Sequence, residues 1–180
     1  MKFVETRLNG AFLIEPERLT DDRGFFARVF CRKEFEPYGL NRDWVQCNIS
    51  YNTRKGTLRG MHYQVPPFAE AKLVRCTMGA IYDVILDLRP DSATYRQWIS
   101  AELSAENRRM IYIPKGFAHG FQTLTDHTEV FYQMSAFYAP EYARAVRWND
   151  PQFHIHWPEA DRTISEKDQE IEDFDARQSK

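Results

Sequence analysis

Short runs of aromatic and β-branched residues recur about every ten residues along this chain, and each is cut off by turn-forming residues before it reaches helical length. The runs are Gly24–Phe30, Val45–Tyr51, Thr57–Gln64, Lys72–Thr77, Ala80–Leu88, Gln97–Leu103, Met110–Ile113, Ala118–Leu124, Glu129–Ala136 and Arg144–Trp148. Between them lie Asp22-Arg23-Gly24, Lys55-Gly56, Met78-Gly79, Arg89-Pro90-Asp91, Pro114-Lys115-Gly116 and Asn149-Asp150-Pro151, all strong turn signals. That rhythm predicts an all-β antiparallel sandwich or barrel, and among these a jelly roll. Helix is expected only in short pieces: Arg32–Glu36 before the barrel, stopped by Pro37, and a C-terminal piece from Ser165-Glu166-Lys167-Asp168 onward. The second carries a serine cap and acidic residues in its first turn.

No repeat, low-complexity tract or linker interrupts the 180 residues, so one domain spanning 1–180 is expected, with a core large enough to need no staple. Cys31, Cys47 and Cys76 are odd in number and unrelated in spacing, which predicts neither zinc nor redox chemistry and fits a reducing cytoplasm. The N-terminal MKFVETRLNG has no basic stretch leading into an apolar run, and no long apolar segment follows, so neither export nor membrane spanning is expected. A formal charge of -2 supplies no basic field for nucleic acid. The 26 aromatic side chains, Trp98, Trp148 and Trp157 among them, are read as core rather than as a base-stacking platform.

Polar residues placed within the strand-like runs are the candidate functional groups. Strict alternation in Thr57–Gln64 sends Gly60, His62 and Gln64 to one face and Arg59 to the other, unless the strand is bulged. Lys72 in KLVRC, His119 in IPKGFAHGF and Tyr132 in EVFYQMS stand in similarly apolar surroundings. Each alone reads as a structural residue. Together they predict a polar cavity, since burying several such groups without partners would cost a few kcal/mol apiece, ~2–7 by transfer measurements.

The blocks DRGFF (from Asp22), QCNIS (from Gln46), LRGMHYQ (from Leu58), KLVR (from Lys72), YIPKGFAHGF (from Tyr112), YAP (from Tyr138), WND (from Trp148) and SEKD (from Ser165) resemble, in order and nearly end to end, the dTDP-4-dehydrorhamnose 3,5-epimerase family. The resemblance implies a cupin-type jelly-roll barrel that works on a nucleotide-diphosphate deoxysugar without metal or cofactor. It implies that His62 is the base, Asp168 its carboxylate partner, Tyr132 the acid on the opposite face, and Lys72 the group beside the sugar keto oxygen. It further implies that Arg23, Gln46, Asn48, Arg59 and His119 contact nucleotide or sugar, that Tyr138 stacks on the base, and that two copies form a homodimer with exchanged strands.

These residue types suit inversion of a carbon beside a ketone. Histidine titrates near neutral pH and can take the proton; an ammonium in a dry cavity stabilises the enolate oxygen; a protonated tyrosine returns a proton from the other side. Arginines inside a near-neutral chain suit a diphosphate. Two positions depart from the family pattern: Arg28 and Ala143 stand where glutamates are usual, so an altered nucleotide or hexose preference is expected there. The loop between Gln46 and Arg59 is about one residue longer than usual. Two other readings remain open: a metal-dependent cupin using His154 and His156, which have the period of two ligands on one strand face but lie in an apparent loop region between Asn149-Asp150-Pro151 and Trp157-Pro158, and a sugar-nucleotide binding module without turnover.

Overall fold

The structure, a computed structural model, describes residues 1–179; Lys180, the last residue of the expected 1–180 domain, lies outside the described residues. It contains the strands Lys2–Glu5 (β1), Phe12–Glu15 (β2), Arg18–Asp21 (β3), Gly24–Ala27 (β4), Gln46–Asn52 (β5), Leu58–Gln64 (β6) and Lys72–Met78 (β7). Then follow Ala80–Asp87 (β8), Trp98–Ser104 (β9), Met110–Ile113 (β10), Phe117–Thr123 (β11), Thr128–Met134 (β12) and Ala143–Ala145 (β13). The helices are Arg32–Phe35 (α1) and Glu166–Gln169 (α2).

Two antiparallel sheets face each other. One has six strands in the order β1-β2-β10-β7-β12-β5, the other five in the order β13-β6-β11-β8-β9, and β3-β4 forms a separate hairpin. From β5 onward the chain crosses between the sheets at almost every step; only β8 and β9 are consecutive neighbours within one sheet. This alternation is the jelly-roll path, and it brings side chains from distant parts of the sequence onto the two walls of one interior.

The interior is apolar at one end. Val74 and Cys76 of β7, Ile111 and Ile113 of β10 and Val130 of β12 pack against Ile81 and Ile85 of β8 and Phe117 and Phe121 of β11. Each sheet is also covered outside. Phe153, Trp157 and Phe174 close over Leu58, Met61, Val84 and Leu86 on the five-stranded sheet, while Phe35 and Leu40 close over Phe12, Ile14, Leu73 and Met110 on the other. Strands buried on both faces lose the polar alternation of a one-sided sheet, which is why β8 reads AIYDVILD.

The strands after β3 lie within a residue or two of the expected runs, except that the Gly24–Phe30 run ends at Ala27 and the last run, expected over Arg144–Trp148, is paired only over Ala143–Ala145. β1, β2 and β3 were not anticipated. At α1 the helix ends at Phe35, and Pro37 does not stop the turn: it stands near the start of a 3-10 turn over Glu36–Tyr38, where its missing N–H costs nothing, and Gly39 ends the segment at φ 64°. α2 begins as expected, with Ser165 Oγ accepting from the Asp168 backbone N–H at 3.2 Å.

Candidate active site

The other end of the interior is a cavity of about 860 Å³ open to solvent. The six-stranded sheet lines it with Gln46 and Asn48 of β5, Lys72 of β7 and Tyr132 of β12; the five-stranded sheet supplies Arg59, His62 and Gln64 of β6 and His119 of β11. Tyr138 and, from α2, Lys167 and Asp168 also line it. Nine of the ten residues expected at the site therefore share this cavity. Arg23 does not line it: it sits in the β3–β4 turn, 90% exposed, its guanidinium held by Asp21.

Strict alternation along β6 fails, and a glycine pair explains why. The β6–β11 register shifts between His119 and Phe121, so Arg59 joins His62 and Gln64 on the cavity side while Met61 turns to the outer cluster. The strands approach so closely here that a Cβ on Gly60 would meet Gly120 Cα at 2.5 Å, and a Cβ on Gly120 would meet the Arg59 carbonyl oxygen at 2.8 Å. Gly60 also has φ 131°, a conformation that glycine adopts at little cost.

His62 Nε2 lies 2.7 Å from Asp168 Oδ1, with the imidazole 47% exposed to the cavity and the carboxylate nearly buried. Burial raises the Asp168 pKa, but the hydrogen bond and charge of His62, the Gly60 backbone amide and the Ser165 hydroxyl outweigh it, leaving the carboxyl below its ordinary value. Lys72 is buried, its Nζ 3.1 Å from Glu70 Oε1 and donating to the His62 carbonyl oxygen at 3.1 Å. Burial pushes the Tyr132 pKa up, with the positive charge of Arg59 acting in the other direction. The Tyr132 hydroxyl therefore holds its proton firmly at neutral pH.

The remaining groups are held by one another. Gln46 Nε2 donates to Asn48 Oδ1 at 3.1 Å, and its Oε1 accepts from the Tyr138 backbone N–H at 3.1 Å. Arg59 Nε donates to Asn52 Oδ1 at 2.7 Å. His119 Nε2 lies 2.8 Å from Oδ2 of the buried Asp83. Gln64 accepts from the Ala139 N–H and donates to the carbonyls of Phe68 and Phe137, tying down the loop that carries Tyr138.

Sequence reasoning missed Glu70, Arg144 and Lys167, all of which line the cavity. Of the two departures, Ala143 lines the cavity, whereas Arg28 lies outside it, paired with Glu34 at 2.9 Å. His154 and His156 stand exposed on an irregular segment outside the cavity rather than on a strand face. Among the described residues no group of three or more His, Cys, Asp or Glu side chains is arranged to hold a metal ion.

Fold and cavity together define a cupin-type jelly roll with a polar, solvent-open chamber at one end of its barrel. Residues 5–176 match the family model for dTDP-4-dehydrorhamnose 3,5-epimerase. The dTDP-4-dehydrorhamnose 3,5-epimerase of Shigella flexneri is 42% identical over 169 residues, 93% of each chain. That of Bacillus anthracis, solved with TDP and PPi bound, superposes with a TM-score of 0.93 at 44% identity, over 96% of this chain and 99% of its own. A dTDP-6-deoxy-D-glucose-3,5-epimerase of Legionella pneumophila, in complex with dTDP-4-keto-L-rhamnose, gives 0.87 at 38% identity, over 93% and 89%. This chain belongs to the dTDP-4-dehydrorhamnose 3,5-epimerase family.

Proposed function

We propose that this protein is an isomerase that inverts C3, C5 or both in a nucleotide-diphospho-4-keto-6-deoxyhexose, of the dTDP-4-dehydro-6-deoxy-glucose to dTDP-4-dehydrorhamnose type. The observation that carries the reading is that an imidazole and a tyrosine hydroxyl enter one cavity from opposite sheets, with a buried ammonium on the same wall as the tyrosine. Inversion beside a ketone needs that division, because the proton must leave one face of the ring and return to the other.

In this mechanism His62 takes the proton from the carbon beside the ketone. The C–H electron pair becomes the enolate π bond, and the carbonyl pair moves to oxygen. Asp168, ionised at neutral pH, holds the imidazole by one nitrogen and balances the imidazolium. The Lys72 ammonium donates to the developing oxyanion inside a largely desolvated wall, the arrangement in which such a donor contributes most. Tyr132 then gives its proton to the opposite face of the same carbon and is reprotonated from water in the open cavity, while His62 releases its proton.

Gln46, Asn48, Arg59, His119 and Tyr138 are the proposed contacts to nucleotide and sugar, with Arg144 and Lys167 adding positive charge near the mouth for the diphosphate. Arg23 joins them only in a homodimer with exchanged strands, which is part of the proposal. In its support, the β3–β4 hairpin stands apart from both sheets and exposes Leu19, Phe25 and Phe26, and the edge strand β5 exposes Ile49 and Tyr51. The same proposal takes residues 1–180 as one domain and assigns the protein to the cytoplasm, in keeping with three free cysteines.

Proton NMR in D2O tests the reading, with thymidine, cytidine and guanosine forms of a 4-keto-6-deoxyhexose nucleotide. Deuterium entering at C3, C5 or both, and lost in His62→Ala, is the expected result and names the regiochemistry. No exchange with any of them would refute it. Titration calorimetry of dTDP against CDP, GDP and UDP addresses the departures at Arg28 and Ala143: a wide preference for dTDP means that neither has altered base recognition.

A further inference from the structure

Glu70 lines the cavity but has no task in the chemistry proposed above. It lies in the connection just before β7, 5% exposed, with Oε1 3.1 Å from Lys72 Nζ. Its second oxygen, Oε2, is sealed from solvent and has no hydrogen-bond partner among the described residues. Such a group is costly to keep. Desolvating both ions of a buried pair commonly costs as much as their attraction returns, and apolar residues of similar volume often serve stability as well or better. A buried pair with one oxygen unsatisfied is therefore poorly explained as a stabilising device.

The donor count at Lys72 gives a better account. An ammonium has three N–H donors. One donates to the His62 carbonyl oxygen on β6, in the facing sheet, while Glu70, in the connection before β7, holds the ammonium as an ion pair at 3.1 Å. Two fixed contacts from different elements, one a hydrogen bond and one an ion pair, select one rotamer of a long, flexible side chain and leave N–H donors for an oxygen inside the cavity. The contact to His62 also ties the ammonium to the strand that carries the base. We infer that Glu70 is a positioning residue: its carboxylate, by ion pairing, and the His62 carbonyl, by a hydrogen bond, hold the Lys72 ammonium so that another of its N–H groups meets the keto oxygen of the bound sugar. This rests on the proposed epimerase reaction and adds a residue to it.

The test is a double-mutant cycle on Glu70→Gln and Lys72→Met, with Glu70→Asp as the conservative variant, read by deuterium exchange and by thermal melting. Glu70→Gln is expected to lower kcat by on the order of tenfold to a hundredfold, less than outright loss of an oxyanion donor, with KM changed by less than about threefold. Glu70→Asp keeps the charge and should recover part of that loss. In the Lys72→Met background, adding Glu70→Gln should lower kcat no further. It should also restore part of the Tm that Lys72→Met alone removes, because a buried carboxylate is no longer left unpaired.

A Glu70→Gln variant with wild-type kcat overturns the inference, as does a loss of equal size in both backgrounds, which would mean that Glu70 acts without Lys72. Should Glu70→Gln alone fail to fold, the comparison of Lys72→Met with the double variant carries the test through Tm, and a double variant no more stable than Lys72→Met overturns it. A wild type that exchanges no deuterium defeats the proposed function instead, while the melting cycle still reports on the pair.

Discussion

Two histidine–carboxylate pairs sit side by side in this cavity and differ in only a few respects. His62 and His119 are directly opposite each other on neighbouring strands, and each places Nε2 within 2.8 Å of an aspartate oxygen. The His62 ring is 47% exposed, and its partner Asp168 arrives on a short capped helix from the far end of the sequence. The His119 ring is 9% exposed, and its partner Asp83 is fully buried on the adjoining strand β8. An exposed imidazole can meet a substrate and exchange its proton with solvent, whereas a buried one held by sheet neighbours is suited to fixed hydrogen bonding. The pairing itself does not make a base; access and the groups across the cavity do.

The largest effect that can break this comparison lies at the histidines. His62→Ala should lower kcat for deuterium exchange by roughly 10²–10⁴, the usual contribution of a positioned general base, with little change in KM. His119→Ala should act mainly on KM, by about tenfold, as expected when a hydrogen bond to bound substrate is lost. Saturation kinetics on both variants decides the matter. Equal losses in kcat would mean that the two pairs share the proton transfer.

The carboxylates sharpen the contrast. Asp168→Asn keeps the size of the side chain but replaces the ionised acceptor of the His62 ring, so kcat should fall by about 10² or more while Tm at neutral pH drops only slightly, by the increment the ionised carboxylate supplies. Asp83→Asn alters a group with no solvent access and should cost about 1–3 kcal/mol of stability as its buried hydrogen bond is disturbed, visible as a lower Tm in calorimetry. A large Tm loss in Asp168→Asn would place that pair among the structural ones.

Legibility followed the same division between local and distant. β7 and β8 could be read because apolar residues run through them between Gly and Pro signals, a property of consecutive residues. β2 is only FLIE before Pro16, too short to carry a period, and β3 is exposed along its whole length, so no buried face marks it. At the site, residue types and blocks named Lys72, His119 and Tyr132 without reference to geometry. Arg59 was assigned the cavity face only through resemblance, since alternation alone opposed it and the Gly60–Gly120 contact that overrides alternation is a tertiary fact. Glu70 in FAEAK reads as a solvated loop charge, and nothing local signals that it is buried against Lys72. Asp168 is 106 residues from His62, a separation that no spacing rule spans.

The smallest effect expected is also the most specific to the exposed pair. The Asp168 carboxyl titrates below the ordinary aspartate value of about 3.9, because the contacts of His62, Gly60 and Ser165 to its ionised form outweigh its burial. A folded-state pKa below the unfolded one means that the unfolded chain takes up this proton first as pH falls. The contribution of Asp168 to stability is therefore fully present above the unfolded value, and it is lost as pH drops from about 4 through the lower folded value. Calorimetric melts of wild type and Asp168→Asn should run parallel from neutral pH down to about pH 5 and converge below about 4, where the wild type alone loses this increment. A variant whose acid limb stays parallel to the wild type throughout would show that the His62 contact does not favour ionised Asp168, and with it would go the argument that this carboxylate balances the imidazolium.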